Sequence, residues 1–166
     1  MNRIIVIGCP GSGKSTFSKK LSSASGIEVH HLDNIFWNED RTNIEISELN
    51  NEIGKILRTD RWIIDGNYLG SMEERIKYAD TVFFLDYDTE ICVRGILDRR
   101  GKKRDDLPFV EPADEVDEEL MDMVKSFKTE IRPDVIDILE RYNNRDIYIF
   151  KNRDEAERFL YNINSK

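Results

Sequence analysis

Arg3-Ile4-Ile5-Val6-Ile7-Gly8-Cys9-Pro10-Gly11-Ser12-Gly13-Lys14-Ser15-Thr16 is an aliphatic run that passes without a break into the pattern G-x-x-x-x-G-K-[ST]. The glycines let the backbone turn so tightly that successive N–H groups converge on one concavity the size of a phosphate. Lys14 adds a mobile positive charge, Ser15 offers a hydroxyl to a phosphate-bound magnesium ion, and Pro10, Ser12 and Thr16 complete the cradle. Phe17 and Leu21 then recur at helical spacing, so a helix begins here and points its partly positive end at the same anion. The stretch predicts strand, phosphate loop and helix in that order.

The remaining 150 or so residues have to complete such a fold, and the chain of 166 is long enough for one domain of ordinary size, 1–166, without staples. A net charge of -8 disfavours a surface built to grip nucleic acid, because the phosphates would be repelled. Cys9 and Cys92 have no metal-ligand spacing and are expected to be reduced thiols. No apolar run approaches the roughly 20 residues that span a bilayer, and no leader precedes the first strand, so a cytoplasmic protein without a membrane is expected.

Short apolar runs alternate with helical patterns, which is the signature of an α/β fold in three layers: a parallel sheet with helices on both faces. The expected strands are Arg3 to Ile7, Glu28 to Leu32, Trp62 to Asp65, Thr81 to Leu85 and Ile147 to Phe150. Helical faces are read at Ile46, Leu49, Ile53, Ile56 and Leu57, and at Ile91, Val93, Ile96 and Leu97 with Asp88 as cap. Val116, Leu120, Val124, Phe127 and Ile131 predict a long helix that Pro133 ends or kinks, followed by another through Val135, Ile138, Leu139 and Tyr142. A last helix runs from Asp154 to Tyr161. Gly101 to Pro112 has two prolines, three clustered cations and no apolar face, and reads as a loop, with a short lid at about 101–115.

Polar residues just after strand C-termini face the ligand crevice of such sheets. Asp65 follows a buried strand and suits the organisation of magnesium, with Gly66 letting the backbone approach substrate; a simple Asp-Gly turn is the rival reading. Asp33 can accept a hydrogen bond from an acceptor hydroxyl, help hold the metal, or cap a helix. Trp37 either floors an acceptor pocket or packs. His30 and His31 are expected to divide between core and a covering helix, without a metal. Transfer of a phosphoryl group needs charge beyond Lys14, and Arg94, Arg99, Arg100, Arg104 and Arg132 together read as a closing clamp.

The segments 4–16, 29–37 (VHHLDNIFW), 61–68 (RWIIDGNY), 79–86 (ADTVFFLD), 96–100 (ILDRR) and the pair Arg132-Pro133 resemble the adenylate-kinase-like P-loop kinases. More closely, they resemble the bacterial branch known as DNA topology modulation proteins. The resemblance implies a five-stranded parallel sheet in order 2-3-1-4-5, ATP and magnesium, and a mobile lid. It gives Lys14 the terminal phosphates, Ser15 and Asp65 the magnesium, Arg99 and a lid arginine the migrating phosphoryl, and Lys151-Asn152-Arg153 the border of the adenine. The chain departs from the pattern where related kinases carry an arginine one turn before Arg99, which is Gly95 here; Arg94 is displaced by about 100° around the helix. Asn67-Tyr68 also replaces the Phe-Pro-Arg that follows Asp-Gly in nucleoside monophosphate kinases, which points to an acceptor other than AMP. Asn152-Arg153-Asp154-Glu155 lacks the Asn-Lys-x-Asp guanine reader.

The function expected from these residues is transfer of the γ-phosphoryl of Mg-ATP to a small acceptor, with a nucleotide or nucleoside as one candidate. Asp33, Trp37, Asp65, Gly66, Asn67 and Tyr68 would hold the acceptor. The alternatives are a nucleotide-dependent regulatory or binding module and an ATPase without a small-molecule acceptor.

Overall fold

A single parallel sheet organises the chain in the computed structural model, which describes residues 1–164. β1 (Arg3–Gly8) is central, with β3 (Trp62–Asp65) on one side and β4 (Thr81–Leu85) on the other; β2 (Val29–His31) and β5 (Asp146–Phe150) are the edges. The order 2-3-1-4-5 is the expected one. Parallel pairing requires crossovers over the faces, so the three inner strands are buried on both sides and read as unbroken apolar runs. Ile4 to Ile7, Trp62 to Ile64 and Val82 to Phe84 are fully buried.

The covering helices are α1 (Lys14–Ser25), α2 (Leu32–Phe36), α3 (Ile46–Leu57), α4 (Leu69–Tyr78), α5 (Thr89–Arg99), α6 (Glu118–Ser126), α7 (Arg132–Arg141) and α8 (Arg153–Asn164). Two of them, α2 and α4, lie where the sequence patterns predict none. α2 takes Leu32 out of the expected second strand and shortens it to three residues. In α3 the inward residues are Leu49, Ile53 and Leu57, while Ile46 is 55% exposed. Asp88 does occupy the N-cap of α5, but its carboxylate makes no cap bond and instead accepts from Lys128 Nζ at 2.6 Å.

The long helix expected through Pro133 is interrupted differently. Asp117 caps α6 by accepting from Leu120 N at 2.9 Å, and a π-turn, Phe127–Ile131, joins α6 to α7. Pro133 lacks an N–H and its ring would press on a carbonyl one turn back, and the wider π-turn separates the two helices at that point. Pro133 then sits in the first turn of α7, where a missing donor is harmless. Val135, Ile138 and Leu139 keep their places in the core. Residues 101–117 contain neither helix nor strand, in keeping with the loop expected from Gly101 to Pro112. Among the described residues no helix is long and apolar enough to cross a membrane.

Candidate active site

β1 delivers the phosphate loop between β3 and β4, at the carboxyl edge of the sheet. Gly11 (φ +82) and Gly13 (φ +96) are in the left-handed region that only glycine enters without strain. Ser12 N donates to Cys9 O at 3.1 Å, and Lys14 Nζ also donates to Cys9 O, at 3.2 Å. α1 starts at Gly13 without a side-chain cap, so its leading N–H groups are open to an anion. Ser12 Oγ is buried without a protein partner.

α5 is seated directly on this loop. A Cβ at Gly95 would stand 2.0 Å from Gly11 O, and one at Gly11 would stand 2.1 Å from Cys92 O. At position 95 two backbones touch, which leaves no room for a side chain. Arg94, one position away, is exposed and makes no hydrogen bond or ion pair among the described residues. Cys9 and Cys92 are buried and unbridged across the same contact. The Cys9 thiol pKa is pushed up, chiefly by its hydrogen bond with Cys92 and then by burial.

On the β3 side, Asp65 ends the strand at 4% exposure and accepts from His31 Nδ1 at 2.7 Å through Oδ2. His31 is thus the buried one of the two histidines, as expected, and it is in addition the partner of the expected magnesium carboxylate. Asp65 Oδ1 is buried with no partner. Gly66 packs closely on α2: a Cβ there would meet Leu32 Cβ at 2.9 Å. Asn67, read as an acceptor contact, spends both ends of its amide on the phosphate loop; its Oδ1 accepts from Gly8 N at 3.0 Å and its Nδ2 donates to Gly8 O at 2.7 Å.

The loop 66–68 is held by a fully buried residue that the sequence patterns do not single out. Arg75 donates to the carbonyls of Gly66 (2.9 Å), Asn67, Tyr68 (3.2 Å) and Ser71 (3.4 Å). Burial pulls its pKa down to about 10, opposed by the nearby charge of Asp65. An arginine in phase with the apolar residues Met72 and Ile76 of α4 is the sequence signal for it.

Asp33 lies inside α2, not at its cap, which is His31. It accepts from Tyr68 Oη at 2.8 Å. Burial pushes its carboxyl pKa up and Asp65 adds to this, while Lys14, the Tyr68 hydroxyl and Arg104 pull the other way. The same pair keeps the Tyr68 hydroxyl protonated, by burial first and by the Asp33 charge second. Beside it, Phe36 stands edge-on to both Trp37 and Tyr68, at ring separations of 5.1 and 5.4 Å. Trp37 also meets Phe109 of the lid at 6.1 Å, and the guanidinium of Arg41 lies 5.5 Å over the Phe109 ring.

Of the five arginines of the expected clamp, two are brought together. Arg99 Nη2 donates to Glu111 at 2.6 Å and Arg104 Nη1 to the other oxygen of Glu111 at 2.9 Å, so one lid carboxylate gathers both. Arg104 also pairs with Asp106. Burial alone would raise the Asp106 pKa, but the bonds from Arg104 and from the Ser15 hydroxyl hold it far below the usual carboxylate range. Lid residue Asp105 reaches Lys19 of α1 at 2.9 Å and Asn34 of α2. The segment 101–117 thus docks on itself, on Ser15 of the phosphate loop and on α1 and α2. Asp106 and Glu111, which do this, sit in a segment that sequence alone renders as loop.

Arg132 belongs elsewhere. Its guanidinium grips both oxygens of Asp86, at the end of β4, at 2.8 and 2.9 Å, and Lys151 shares that carboxylate. It stands with the residues after β5 rather than with Arg99 and Arg104. Arg153, the first residue of α8, is exposed.

The geometry can be set beside known proteins. No family model matches the chain. Shikimate kinase from Bacteroides thetaiotaomicron aligns in structure with a TM-score of 0.59, over 99% of this chain and 97% of its own, at 18% identity. The fold is that of the P-loop kinases. Cytidylate kinase from Ignicoccus hospitalis is similar in sequence, 27% identical over 124 residues that span 70% of this chain and 72% of its own. Both comparisons thus point to kinases, with low identity in each.

Proposed function

We propose that this chain is a phosphotransferase that moves the γ-phosphoryl of ATP to a small acceptor held between Asp33 and the aromatic wall of Phe36, Trp37 and Tyr68. The observation that carries the reading is Asp33, a carboxylate of raised pKa set close to Lys14 beneath a lid that brings Arg99 and Arg104 together. A base in that position takes the proton of an acceptor hydroxyl as its oxygen bonds to the phosphorus and the bridging bond to ADP breaks. Lys14 and the α1 amides hold the donor phosphates. Arg99 and Arg104, exchanging Glu111 and Asp106 for phosphoryl oxygens, neutralise the charge in transit, so catalysis is mostly positioning and electrostatics.

Magnesium suits the oxygens present. The Ser15 hydroxyl and the unpartnered, buried Asp65 Oδ1 are hard donors of the kind this ion takes, directly or through water. Among the described residues no cluster of three His, Cys, Asp or Glu could hold a metal by itself, which agrees with an ion brought in on phosphates. When bound, it would supply charge neutralisation between the terminal phosphates.

The similarity to a cytidylate kinase makes CMP the first acceptor to try. Shikimate, other nucleotides, nucleosides and sugars complete the panel, with transfer followed by mass spectrometry and Lys14→Ala as the control. Phosphorylation of one acceptor, lost in the control, is the expected outcome. ATP turnover that no acceptor accelerates, or no turnover at all, would overturn the proposal. The finer likeness to the topology modulation branch rests on the sequence segments alone, and the acceptor screen tests an enzymatic role for it.

A further inference from the structure

At the opposite edge of the sheet, where the strands begin, a concavity of about 670 Å³ opens between the starts of β1, β3 and β4. Six strand residues at about 3.3 Å each separate it from the phosphate loop, roughly 20 Å along β1. Its wall carries four cations, Arg3, Arg61, Lys77 and Arg145, against two carboxylates, Asp60 and Asp80. In a chain of net charge -8 this is a local inversion of sign.

The two carboxylates do little to cancel it. Asp80 is spent on backbone, accepting from Asn2 N at 2.8 Å and Arg3 N at 3.1 Å through one oxygen and from the Thr81 hydroxyl through the other. Asp60 is fully exposed and only 3.8 Å from Arg3 at its nearest. The arginines are instead steadied by carbonyls, which fix their direction without neutralising them. Arg61 donates to Ser25 O at 3.2 Å, Arg145 to Lys77 O at 2.8 Å and Arg3 to Asp60 O at 3.4 Å. Arg145 Nε is buried without a partner, and Lys77 Nζ has none among the described residues. Arg145 Nε is thus a buried donor, and Lys77 Nζ an exposed one, that no protein acceptor among the described residues claims.

We propose that this bay is a second anion site, one that takes a phosphate-bearing small molecule of nucleotide size. Forked guanidinium donors held in fixed directions suit phosphate oxygens, with Lys77 as a point charge beside them. The volume falls within the usual range for small-ligand sites, about 300–1,000 Å³. Tyr78, 47% exposed, offers a ring at the rim for the rest of the ligand. A long nucleic acid is disfavoured as occupant because a chain of net charge -8 would repel its further phosphates.

The test uses the full chain carrying Lys14→Ala, so that the phosphate loop competes little, and inorganic pyrophosphate and ADP as probes at constant ionic strength. Backbone amide NMR is the readout. Saturable shifts are expected at Arg3, Arg61, Tyr78 and Ala79, and Arg61→Glu combined with Lys77→Glu should weaken them at least tenfold. Both side chains are exposed, so the fold is expected to survive, as circular dichroism will show. The proposal fails if shifts are confined to residues 8–16, if sodium chloride at equal ionic strength reproduces them, or if the double substitution leaves them intact. It also fails if a 5′-phosphorylated oligonucleotide binds the bay tenfold more tightly than pyrophosphate or ADP. ATP binding at the loop, measured with Lys14 restored, is expected to be unchanged by the double substitution, which separates this site from the first.

Discussion

Gly95→Ala asks whether α5 really rests on the backbone of the phosphate loop. In an ordinary helix interior this change stabilises by about 1 kcal/mol, because alanine loses less backbone freedom on folding. Here the new Cβ would be 2.0 Å from Gly11 O and 2.9 Å from the Gly11 carbonyl carbon, both backbone atoms. Real Cβ contacts essentially never fall below 3.0 Å, so helix and loop must part by at least 1.0 Å, the difference between 3.0 and 2.0. Forcing a methyl group into packed structure costs about 1–3 kcal/mol, so the helix gain is cancelled or reversed, with a net loss of up to about 2 kcal/mol. The larger effect falls on function, since a 1 Å error in the groups that hold the donor can cost about 100-fold in rate. Urea midpoints measure the first effect, and ATP titration calorimetry together with the rate of phosphoryl transfer measures the second. Gly54→Ala in α3 is the internal control, because a Cβ there meets only Arg58 Nη1, at 3.9 Å, and about 1 kcal/mol of stabilisation is expected. If Gly95→Ala gains stability as the control does and binds ATP like the parent, the contact between α5 and the loop is not as described.

Three further outcomes are expected. Arg75→Met removes the donor to the carbonyls of loop 66–68 and should cost about 3 kcal/mol in urea unfolding; a loss under 1 kcal/mol would contradict the role given to it. Because burial raises the Asp33 pKa above its ordinary 3.8, the folded chain holds that proton more tightly than the unfolded chain, and the resulting stability, complete below 3.8, is lost as pH rises through the raised value. Asp33→Asn should thus gain stability relative to the parent as pH rises, in a series of unfolding curves, while losing acceptor phosphorylation; parallel pH profiles would refute this. Asp106→Asn should release Arg104 and the Ser15 hydroxyl and tighten ATP by about tenfold, the worth of one charge-assisted bond of about 1.5 kcal/mol, whereas weaker binding in calorimetry would show that Asp106 readies Arg104 instead.

The sheet was legible because its signals are local: unbroken apolar runs for strands buried on both faces, and a loop whose chemistry needs those residues in that order. α2 escaped notice because five residues are too few to show a helical period, and α4 because its inward face carries Ser71 and Arg75 beside Met72 and Ile76. Site residues divide in the same way. Asp33, Asp65 and Tyr68 could be placed from their positions after strands, but their partners could not. The His31 to Asp65 bond spans 34 positions and the Asn67 to Gly8 bonds span 59, and such pairings follow from register across the sheet. The arginines mislead because a cation's sequence position does not reveal which carboxylate claims it. Arg132 looks like its fellows until Asp86, 46 residues away, is seen to hold it.

The bonds of Asn67 to both backbone groups of Gly8 have a mechanical meaning. After β1 and β3 diverge, a side-chain amide continues the ladder that their backbones no longer make, offering one donor and one acceptor as a strand residue would. With Arg75 bracing the carbonyls of Gly66 to Tyr68, the floor under donor and acceptor becomes one stiff plate. Neither half can be drawn toward the other by bending it. If ligands are admitted by movement, the proposed site leaves it to the segment 101–117, which is attached by ion pairs and the Phe109 ring contacts rather than by strand ladders, and hydrogen exchange should find the plate slow and that segment fast.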